Sequence, residues 1–215
     1  MGMIDELIQQ HCPDGIKYKR ISEFATVIRG GNFQKKDFVQ SGKPCIHYGQ
    51  IYTQYGLEAK SSLSFVNEVV YENSKKAKPN NIIMAVTSEN VEDIGKCLVW
   101  MGNEDIAVSG HTAIIDHELN GKYLAYFFSS EQFYNQKLKY VHGTKVMEIT
   151  PKALYDVVVP IPPLAVQDEI VKVLDKLSEL EAKLEAELEA ELEMRRKQFT
   201  YYKNSILSFG NNTGE

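Results

Sequence analysis

The sequence predicts an α+β fold, in which a globular domain of short β-strands and helices precedes one long C-terminal coiled-coil α-helix. Short apolar segments broken by Gly, Pro and Asn fill the first three quarters of the chain, as is typical of strands joined by turns. Residues 166–209 contain neither Pro nor Gly and are rich in Glu, Ala, Leu and Lys, which favours a helix longer than those of ordinary globular domains. We therefore expect a globular domain over residues 1–163, a helix over 164–210 and a disordered tail over 211–215.

The globular domain is predicted to begin with a short amphipathic helix over residues 4–10 and a turn at residues 13–15. Residues 82–86 (IIMAV) form a continuous apolar run that suits a buried strand. Two later segments, residues 123–128 and 131–140, have helical periodicity. Further strands are predicted at residues 16–19, 44–52 (interrupted by Gly49), 97–100, 106–108, 112–115 and 155–159.

The long helix carries one apolar stripe. Its members recur with the 3,4 spacing of a coiled-coil seam, apart from a central stretch in which the spacing is four. Such a spacing locally unwinds a supercoil without ending the helix. Nothing else in the sequence has the length or pattern to cover this stripe, so we expect a second chain to do so. The predicted dimerisation residues are Ile170, Val173, Leu177, Leu180, Leu184, Leu188, Leu192, Phe199, Tyr202 and Ile206.

The charge is unevenly distributed. The chain has a formal net charge of -5. Residues 1–165 carry 17 basic and 18 acidic side chains, whereas residues 166–215 carry 7 and 11. A nearly neutral globular domain can still present a basic face, so this balance does not exclude DNA as a partner. No signal peptide, apolar run near 18 residues or lipidation signature is visible, and we expect a cytoplasmic protein without a membrane partner.

No catalytic or metal-binding constellation is evident. The sequence has no phosphate-binding loop, dinucleotide fingerprint, zinc-protease motif or nucleophile elbow. Cys12, Cys45 and Cys97 lie far apart and lack the spacing of metal ligands or of a disulfide framework. The five histidines are scattered, and each is better explained as a surface or core residue than as a ligand. The residues therefore favour a binding protein.

Three polar loops contain the residue types that contact bases and phosphates in DNA: residues 29–36, 47–55 and 137–145. Each loop alone is better explained as a solvated connection, but their number tilts the balance modestly toward a nucleic-acid partner. The candidate DNA-binding residues in them are Arg29, Asn32, Gln34, Lys35, Lys36, His47, Tyr48, Gln50, Tyr52, Lys139, His142, Thr144 and Lys145; Asn90 and Lys96, in the polar segment 87–96, complete the predicted set.

Several segments, taken together and in order, resemble the specificity subunit of Type I restriction-modification systems. The similarity covers nearly the whole chain. One difference is that the usual family member has two target recognition domains and two long helices, whereas this chain has one of each and resembles a half subunit. The similar segments are residues 13–21 (PDGIKYKRI), 42–52 (GKPCIHYGQIY), 88–90 (SEN), 94–96 (IGK), 143–144 (GT) before Ile149, 160–171 (PIPPLAVQDEIV) and 195–202 (RRKQFTYY).

This resemblance implies that residues 1–163 are a target recognition domain and that the chain is non-catalytic. It would deliver methyltransferase subunits, and through the assembled complex a restriction endonuclease subunit, to one sequence of double-stranded DNA. The chain itself would bind no cofactor, and S-adenosylmethionine would belong to the methyltransferase subunit. A homodimer would supply the missing half and read a bipartite target of inverted repeats.

Two alternatives remain open at this stage. The chain could be a coiled-coil adaptor whose globular domain binds a protein or a small ligand. It could also be a nuclease or methyltransferase with a divergent site, although the one nuclease-like Glu-x-Lys, residues 181–183, lies on the predicted helix without an acidic residue on an upstream strand.

Overall fold

The computed structural model of the protein describes residues 3–208 and confirms the α+β fold with a long C-terminal helix. Two compact units divide between Val171 and Lys172. The predicted tail at 211–215 and the end of the predicted helix at 209–210 lie outside the described residues.

The described residues contain short strands and seven α-helices. The helices are α1 (Met3–His11), α2 (Tyr48–Thr53), α3 (Glu68–Asn73), α4 (Gly121–Phe128), α5 (Glu131–Lys137), α6 (Pro151–Leu154) and α7 (Leu164–Leu207). The strands are β1 (Lys17–Arg20), β2 (Ala25–Arg29), β3 (Phe38–Val39), β4 (Lys43–Ile46), β5 (Glu58–Ala59), β6 (Ser64–Val66), β7 (Lys76–Ala77), β8 (Ile82–Ala85), β9 (Thr87–Ser88), β10 (Cys97–Trp100), β11 (Ile106–Val108), β12 (Thr112–His117), β13 (Met147–Glu148) and β14 (Val158–Ile161).

Two five-stranded mixed sheets form the scaffold. The first has the order β2-β12-β8-β10-β5 and the second β3-β6-β4-β11-β7. Pairing is antiparallel except between β10 and β5 and between β11 and β4. Two small ribbons, β1-β14 and β13-β9, join distant parts of the chain. Because β9 leads out of β8 and β13 follows the last loop of the domain, the second ribbon brings two polar segments together.

The core has two main layers because β8 is buried on both faces. Side chains alternate across a strand, so Ile83 packs with residues of the second sheet, whereas Ile82 and Met84 pack with the layer that contains α4 and α5. The continuous apolar run at residues 82–86 reflects this double burial.

Two predicted strands differ from the structure. The strand predicted at residues 155–159 begins only at Val158, because residues 155–157 form the turn after α6. The larger difference is at residues 44–52. Residues 44–52 are not strands around a glycine, because β4 ends at Ile46 and α2 begins at Tyr48. His47 caps this helix: its Nδ1 accepts a hydrogen bond from the amide of Gly49 at 3.1 Å, and its own amide donates to Oε1 of Gln50 at 3.0 Å. Local capping and the burial of Ile51 against the sheets therefore decide the conformation.

The helix α7 begins directly after Pro162 and Pro163, and its first turns belong to the globular unit. Gln167 is almost fully buried; its Oε1 accepts a hydrogen bond from the Asn120 amide at 3.0 Å, and its Nε2 donates to the Pro162 carbonyl at 2.7 Å. Asp168 accepts a 2.7 Å hydrogen bond from the Asn120 side chain. Among the residues described, no helix combines the length and apolarity needed to cross a membrane.

Candidate nucleic-acid interface

Four loop segments and the start of α2 converge at one end of the two sheets, and we call them together the loop face. Backbone contacts join them: the Gly31 amide donates to the Val108 carbonyl at 2.7 Å, and the Val86 amide to the His111 carbonyl at 3.0 Å. The ribbon β9-β13 attaches the last loop, and a bridge between His142 and Glu148 closes that loop on itself. The loop face comprises residues 29–36, 47–52, 87–93, 109–111 and 142–148.

Two glycines permit the close approach of these loops. A Cβ atom on Gly30 would lie 2.1 Å from the Ser109 carbonyl oxygen, which is far inside a normal contact distance. Gly143 has a φ of +105°, a conformation that other residues rarely adopt, and its added Cβ would meet the Val146 carbonyl oxygen. Both loops therefore depend on glycine for their shape.

Arg29 ties three of the segments together from the end of β2. Its Nε donates a hydrogen bond to the Gly110 carbonyl at 3.0 Å, and its guanidinium forms an ion pair with Glu148 at 2.9 Å. Because Arg29 is half exposed, part of its guanidinium also faces solvent. The residue is therefore placed to organise the loop face and to contact an anionic ligand at its edge.

Aromatic and imidazole rings form a continuous row on the loop face. The ring of Tyr48 lies 4.5 Å from His47, 4.9 Å from His111 and 6.5 Å from Tyr52, measured between centroids. Burial, reinforced by Lys35 and His111, lowers the pKa of His47 to about 4. His47 is therefore neutral at pH 7 and acts here as a helix cap.

Most of the predicted DNA-binding residues lie on the loop face, and many of them are free to meet a ligand. The predicted residues that are exposed there are Asn32, Gln34, Lys35, Lys36, His142, Thr144 and Lys145; Glu89, Glu92 and His111 are also exposed on this face.

Other predicted residues are already engaged within the domain. Gln50 is only 6% exposed, and its Nε2 donates to Gln54 and Ser64 at 2.9 and 2.8 Å. The Tyr52 hydroxyl donates to the Thr87 carbonyl at 2.8 Å. The Asn90 side chain donates a hydrogen bond to the Asp93 carboxylate at 2.8 Å and accepts one from the Asp93 backbone amide at 2.7 Å. These contacts hold the shape of the loop face, and a direct contact of these residues with DNA stays a prediction.

Two predicted residues lie beside the loop face rather than on it. Lys96 forms an ion pair with Asp93 at 2.6 Å and lines a separate cavity of about 340 Å³ next to α2 and α5. Lys139 is exposed and follows α5, close in sequence to the buried Lys137.

The sequence reasoning missed the loop formed by Ser109, Gly110 and His111. Its Ser109 hydroxyl accepts a hydrogen bond from the Tyr48 amide at 2.9 Å, and His111 extends the row of rings. A short polar loop with a glycine between two predicted strands was the available signal, but it carries no basic residue to mark it.

The loop face has the chemical character of a recognition surface. It combines lysines, an arginine, amides and hydroxyls with stackable rings, the groups that contact phosphates and base edges, and its four basic side chains are matched by Glu89, Glu92, Asp93 and Glu148. A cleft of about 310 Å³ lies on this face between Tyr48, Tyr52, Ser88 and Asn90. Residues 3–208 contain no group of three or more His, Cys, Asp or Glu side chains arranged to hold a metal ion. The fold and the loop face thus define a loop-based recognition domain that continues into a long helix.

Comparison with known proteins gives the family. Residues 13–194 match the sequence model of the Type I restriction modification DNA specificity domain, and the chain belongs to this family. The family assignment supports the prediction of a specificity subunit and not of a catalytic one.

Individual relatives are similar over parts of the chain. The EcoKI specificity subunit of Escherichia coli K12 is 26% identical over 171 residues, 77% of this chain and 36% of that protein. A Haemophilus influenzae protein, provisionally named a type I restriction enzyme specificity subunit, is 37% identical over 113 residues, 51% of this chain and 27% of that protein. The chain thus spans about a third of the length of these two relatives.

A solved structure supports the fold. A chain in a structure of a type I R-M system, described in terms of complex assembly and conformational transition, superimposes with a TM-score of 0.65 at 21% identity. The superposition covers 94% of this chain and 50% of the other.

Proposed function

We propose that this chain is the DNA-recognition subunit of a Type I restriction-modification complex and that the loop face reads the target sequence. The convergence of four polar loops and the capped helix α2 on one end of the sheets carries this proposal. In this reading Lys35, Lys36 and Lys145 contact phosphates, whereas Asn32, Gln34 and Thr144 are available for base edges. Gln50, Tyr52 and Asn90 hold the loop face in the shape that DNA meets.

In this proposal the chain itself is not catalytic and delivers the catalytic subunits to DNA. Methyltransferase subunits, which would bind S-adenosylmethionine, dock along α7, and a restriction endonuclease subunit joins through the assembled complex. A complex that acts on intracellular DNA works in the cytoplasm.

The proposed homodimer rests on the pattern of the seam along α7. Eight seam residues from Leu177 to Ile206 are between 51% and 69% exposed in the single chain, which is unusual for a continuous row of apolar side chains. The seam is also symmetric about Ala186: Leu184 and Leu188 lie two residues to either side, and Leu180 and Leu192 lie six.

The symmetry extends to both ends of the seam and favours an antiparallel pair. Val173 and Phe199 lie thirteen residues from Ala186, and Ile170 and Tyr202 lie sixteen. In an antiparallel pair with its two-fold axis at Ala186, each of these residues meets an apolar residue of the partner helix. Leu177 is an exception, because Arg195 occupies its symmetric position. A parallel pair needs no such symmetry.

The charges do not decide the orientation, because the Glu-rich middle repels itself in either arrangement and Lys176 is level with Arg196 in the antiparallel pair, but two favourable pairs lie near the ends. The antiparallel pair places Lys197 level with Asp175 and Lys203 level with Glu169, because each pair is equidistant from Ala186. A parallel pair in register would instead set Arg195, Arg196 and Lys197 beside the same three residues of the partner.

A two-fold dimer would present two identical loop faces to one duplex. Each would read the same half-site on opposite strands, so the target would be two inverted repeats separated by an unspecified spacer. The length of the paired helices would set the spacer.

Selection from a random pool of duplex DNA tests this function. We expect enrichment of a split inverted repeat by the chain, with or without methyltransferase subunits, and weaker retention of all duplexes by Lys35→Ala/Lys145→Ala, because both lysines are assigned to phosphates. The matched variant Lys60→Ala/Lys152→Ala removes two exposed lysines outside the loop face and should still enrich the repeat. If the wild-type chain enriches no sequence under either condition, the adaptor function becomes the better interpretation.

A further inference from the structure

The base of α7 is bordered by an apolar groove on the globular unit. It has a volume of about 450 Å³, and its lining includes Cys12, Leu119, Ile161, Pro162 and Leu164. We call it the basal groove. Leu164 is 54% exposed although it lies at the start of the helix, so apolar surface remains open there.

The seam cannot continue on α7 as far as the basal groove. Ile206, the last seam residue, lies twenty residues from Ala186, and its symmetric position is Val166. Val166 is fully buried within its own globular unit, whereas Ile206 is 69% exposed. In the antiparallel pair Ile206 of one copy therefore reaches the level of Val166 of the other copy but cannot pack on its side chain.

The surface next to Val166 can provide the apolar contact for Ile206 that the buried Val166 side chain cannot. Gln167, the neighbour of Val166, lines the basal groove together with Leu164. Leu164 is level with Ser208 of the second copy, since both lie twenty-two residues from Ala186. The exposed Ile206 and Leu207 of that copy thus arrive beside the basal groove, whose lining also includes the polar residues His11, Asp14 and Lys17.

We propose that the basal groove receives the C-terminal turn of α7, Ile206–Leu207, from a second copy of this chain. This inference rests on the antiparallel dimer proposed above. Burial of two aliphatic side chains against Leu119, Pro162 and Leu164 supplies the attraction, while Lys203 lies level with Glu169 at the same end. Each globular unit would then be held by its own helix and by the end of its partner's helix.

Cys12 lines the groove and provides a chemical reporter. We would introduce Leu207→Cys into the full chain, treat it with a short bismaleimide and separate the products under denaturing conditions. We expect a covalent dimer, and we expect Leu207→Cys/Cys12→Ser to lose it. Ser178→Cys is the matched control, because it adds an exposed thiol about 43 Å away along the helix at 1.5 Å per residue; it should not link to Cys12.

Sedimentation of the same samples separates the two possible failures. A Leu207→Cys chain that sediments as a dimer without a Cys12-dependent link would overturn the basal groove as the binding site and leave the dimer standing. A link that persists in Cys12→Ser would also overturn it. A chain that sediments as a monomer would remove the proposed dimer and, with it, this inference.

Discussion

Three lysines on the loop face, Lys35, Lys36 and Lys145, are exposed and lie on loops that the domain holds in place. A lysine that neutralises a phosphate releases counterions, so it contributes about one unit to the slope of log affinity against log salt. Such a contact strengthens binding to every sequence and does not select a base.

We predict that Lys145→Ala weakens binding to target and non-target duplexes by a similar factor and lowers the salt slope by about one. Titrations at several salt concentrations measure both effects. Lys152→Ala, an exposed lysine on α6, is the control and should leave the slope unchanged. A loss confined to the target sequence would instead assign Lys145 to base recognition.

Two buried histidines make the fold sensitive to acid. Burial lowers the pKa of His47 and of His117 to about 4, against an ordinary value of 6.5. Between these values the unfolded chain binds more protons than the folded one, so stability is complete above pH 6.5 and falls as the pH drops toward 4. Each histidine contributes on the order of 3 kcal/mol over this window.

We predict that the free energy of unfolding, measured by urea titration from pH 7.5 to 4.5, decreases through this range. His117→Asn should lose part of the decrease, because an amide does not titrate. His142→Asn is the control, since His142 is exposed. A wild-type unfolding free energy that stays constant down to pH 4.5 would contradict the burial argument.

At the scale of single elements, α5 supports the polar segment 87–96 through one side chain. Lys137 is 5% exposed, and its Nζ donates hydrogen bonds to the carbonyls of Glu92 and Ile94 at 3.0 and 2.6 Å. Burial lowers its pKa. The ammonium therefore holds the segment that contributes Ser88 and Asn90 to the loop face.

We predict that Lys137→Met lowers the free energy of unfolding by about 1–3 kcal/mol, because Met fills the space but leaves two carbonyls unpaired. Hydrogen exchange of amides in residues 88–96 should become faster. Lys139→Met changes an exposed lysine two residues away and should affect neither measurement. Equal exchange rates in Lys137→Met and the wild type would show that other contacts hold the segment.

At the scale of the whole molecule, the dimer depends on the centre of the seam. We predict that Leu184→Glu/Leu188→Glu is monomeric at micromolar concentration, since four carboxylates would meet in the paired interface. Sedimentation measures the change. Ala186→Glu/Ala190→Glu adds the same charge on the opposite side of α7 and should remain dimeric. A wild-type chain that is itself monomeric would contradict the seam.

The orientation of the two α7 helices in the dimer can be tested with cysteine variants of chains in which Cys12 is replaced by Ser. Mixing Val173→Cys chains with Phe199→Cys chains should give an oxidised heterodimer, because these positions are level only in the antiparallel arrangement. Neither variant should link to itself. A parallel pair in register predicts the reverse result for both samples.

The elements that could be predicted from sequence are those with strong local signals. The apolar run at residues 82–86 and the long helix without Pro or Gly both appear in the structure as β8 and α7. The strand prediction for residues 44–52 was wrong because the apolar residues Ile46, Tyr48 and Ile51 resemble those of a strand interrupted by glycine. The spacing of Tyr48, Ile51, Tyr52 and Tyr55 is helical, and the side chain of His47 caps the first turn of that helix.

The candidate site was predictable only in part. Basic and amide side chains marked residues 29–36, 47–55 and 137–145 directly. The Ser109–His111 loop and the supporting roles of Gln50 and Lys137 depend on contacts between residues far apart in the chain, such as the hydrogen bond between Lys137 and Glu92. No local pattern encodes those contacts.

The sequence by itself determined the class of fold, the family resemblance and the symmetric apolar stripe, because each follows from residue type and spacing along one chain. Only the tertiary structure decided which polar residues share a surface and which of them are hydrogen-bonded within the domain. It also decided that Val166 is buried in the globular unit and cannot extend the apolar stripe. Those properties arise when β8, β9 and β13 bring distant segments together, and burial and hydrogen-bond partners are fixed only by that packing.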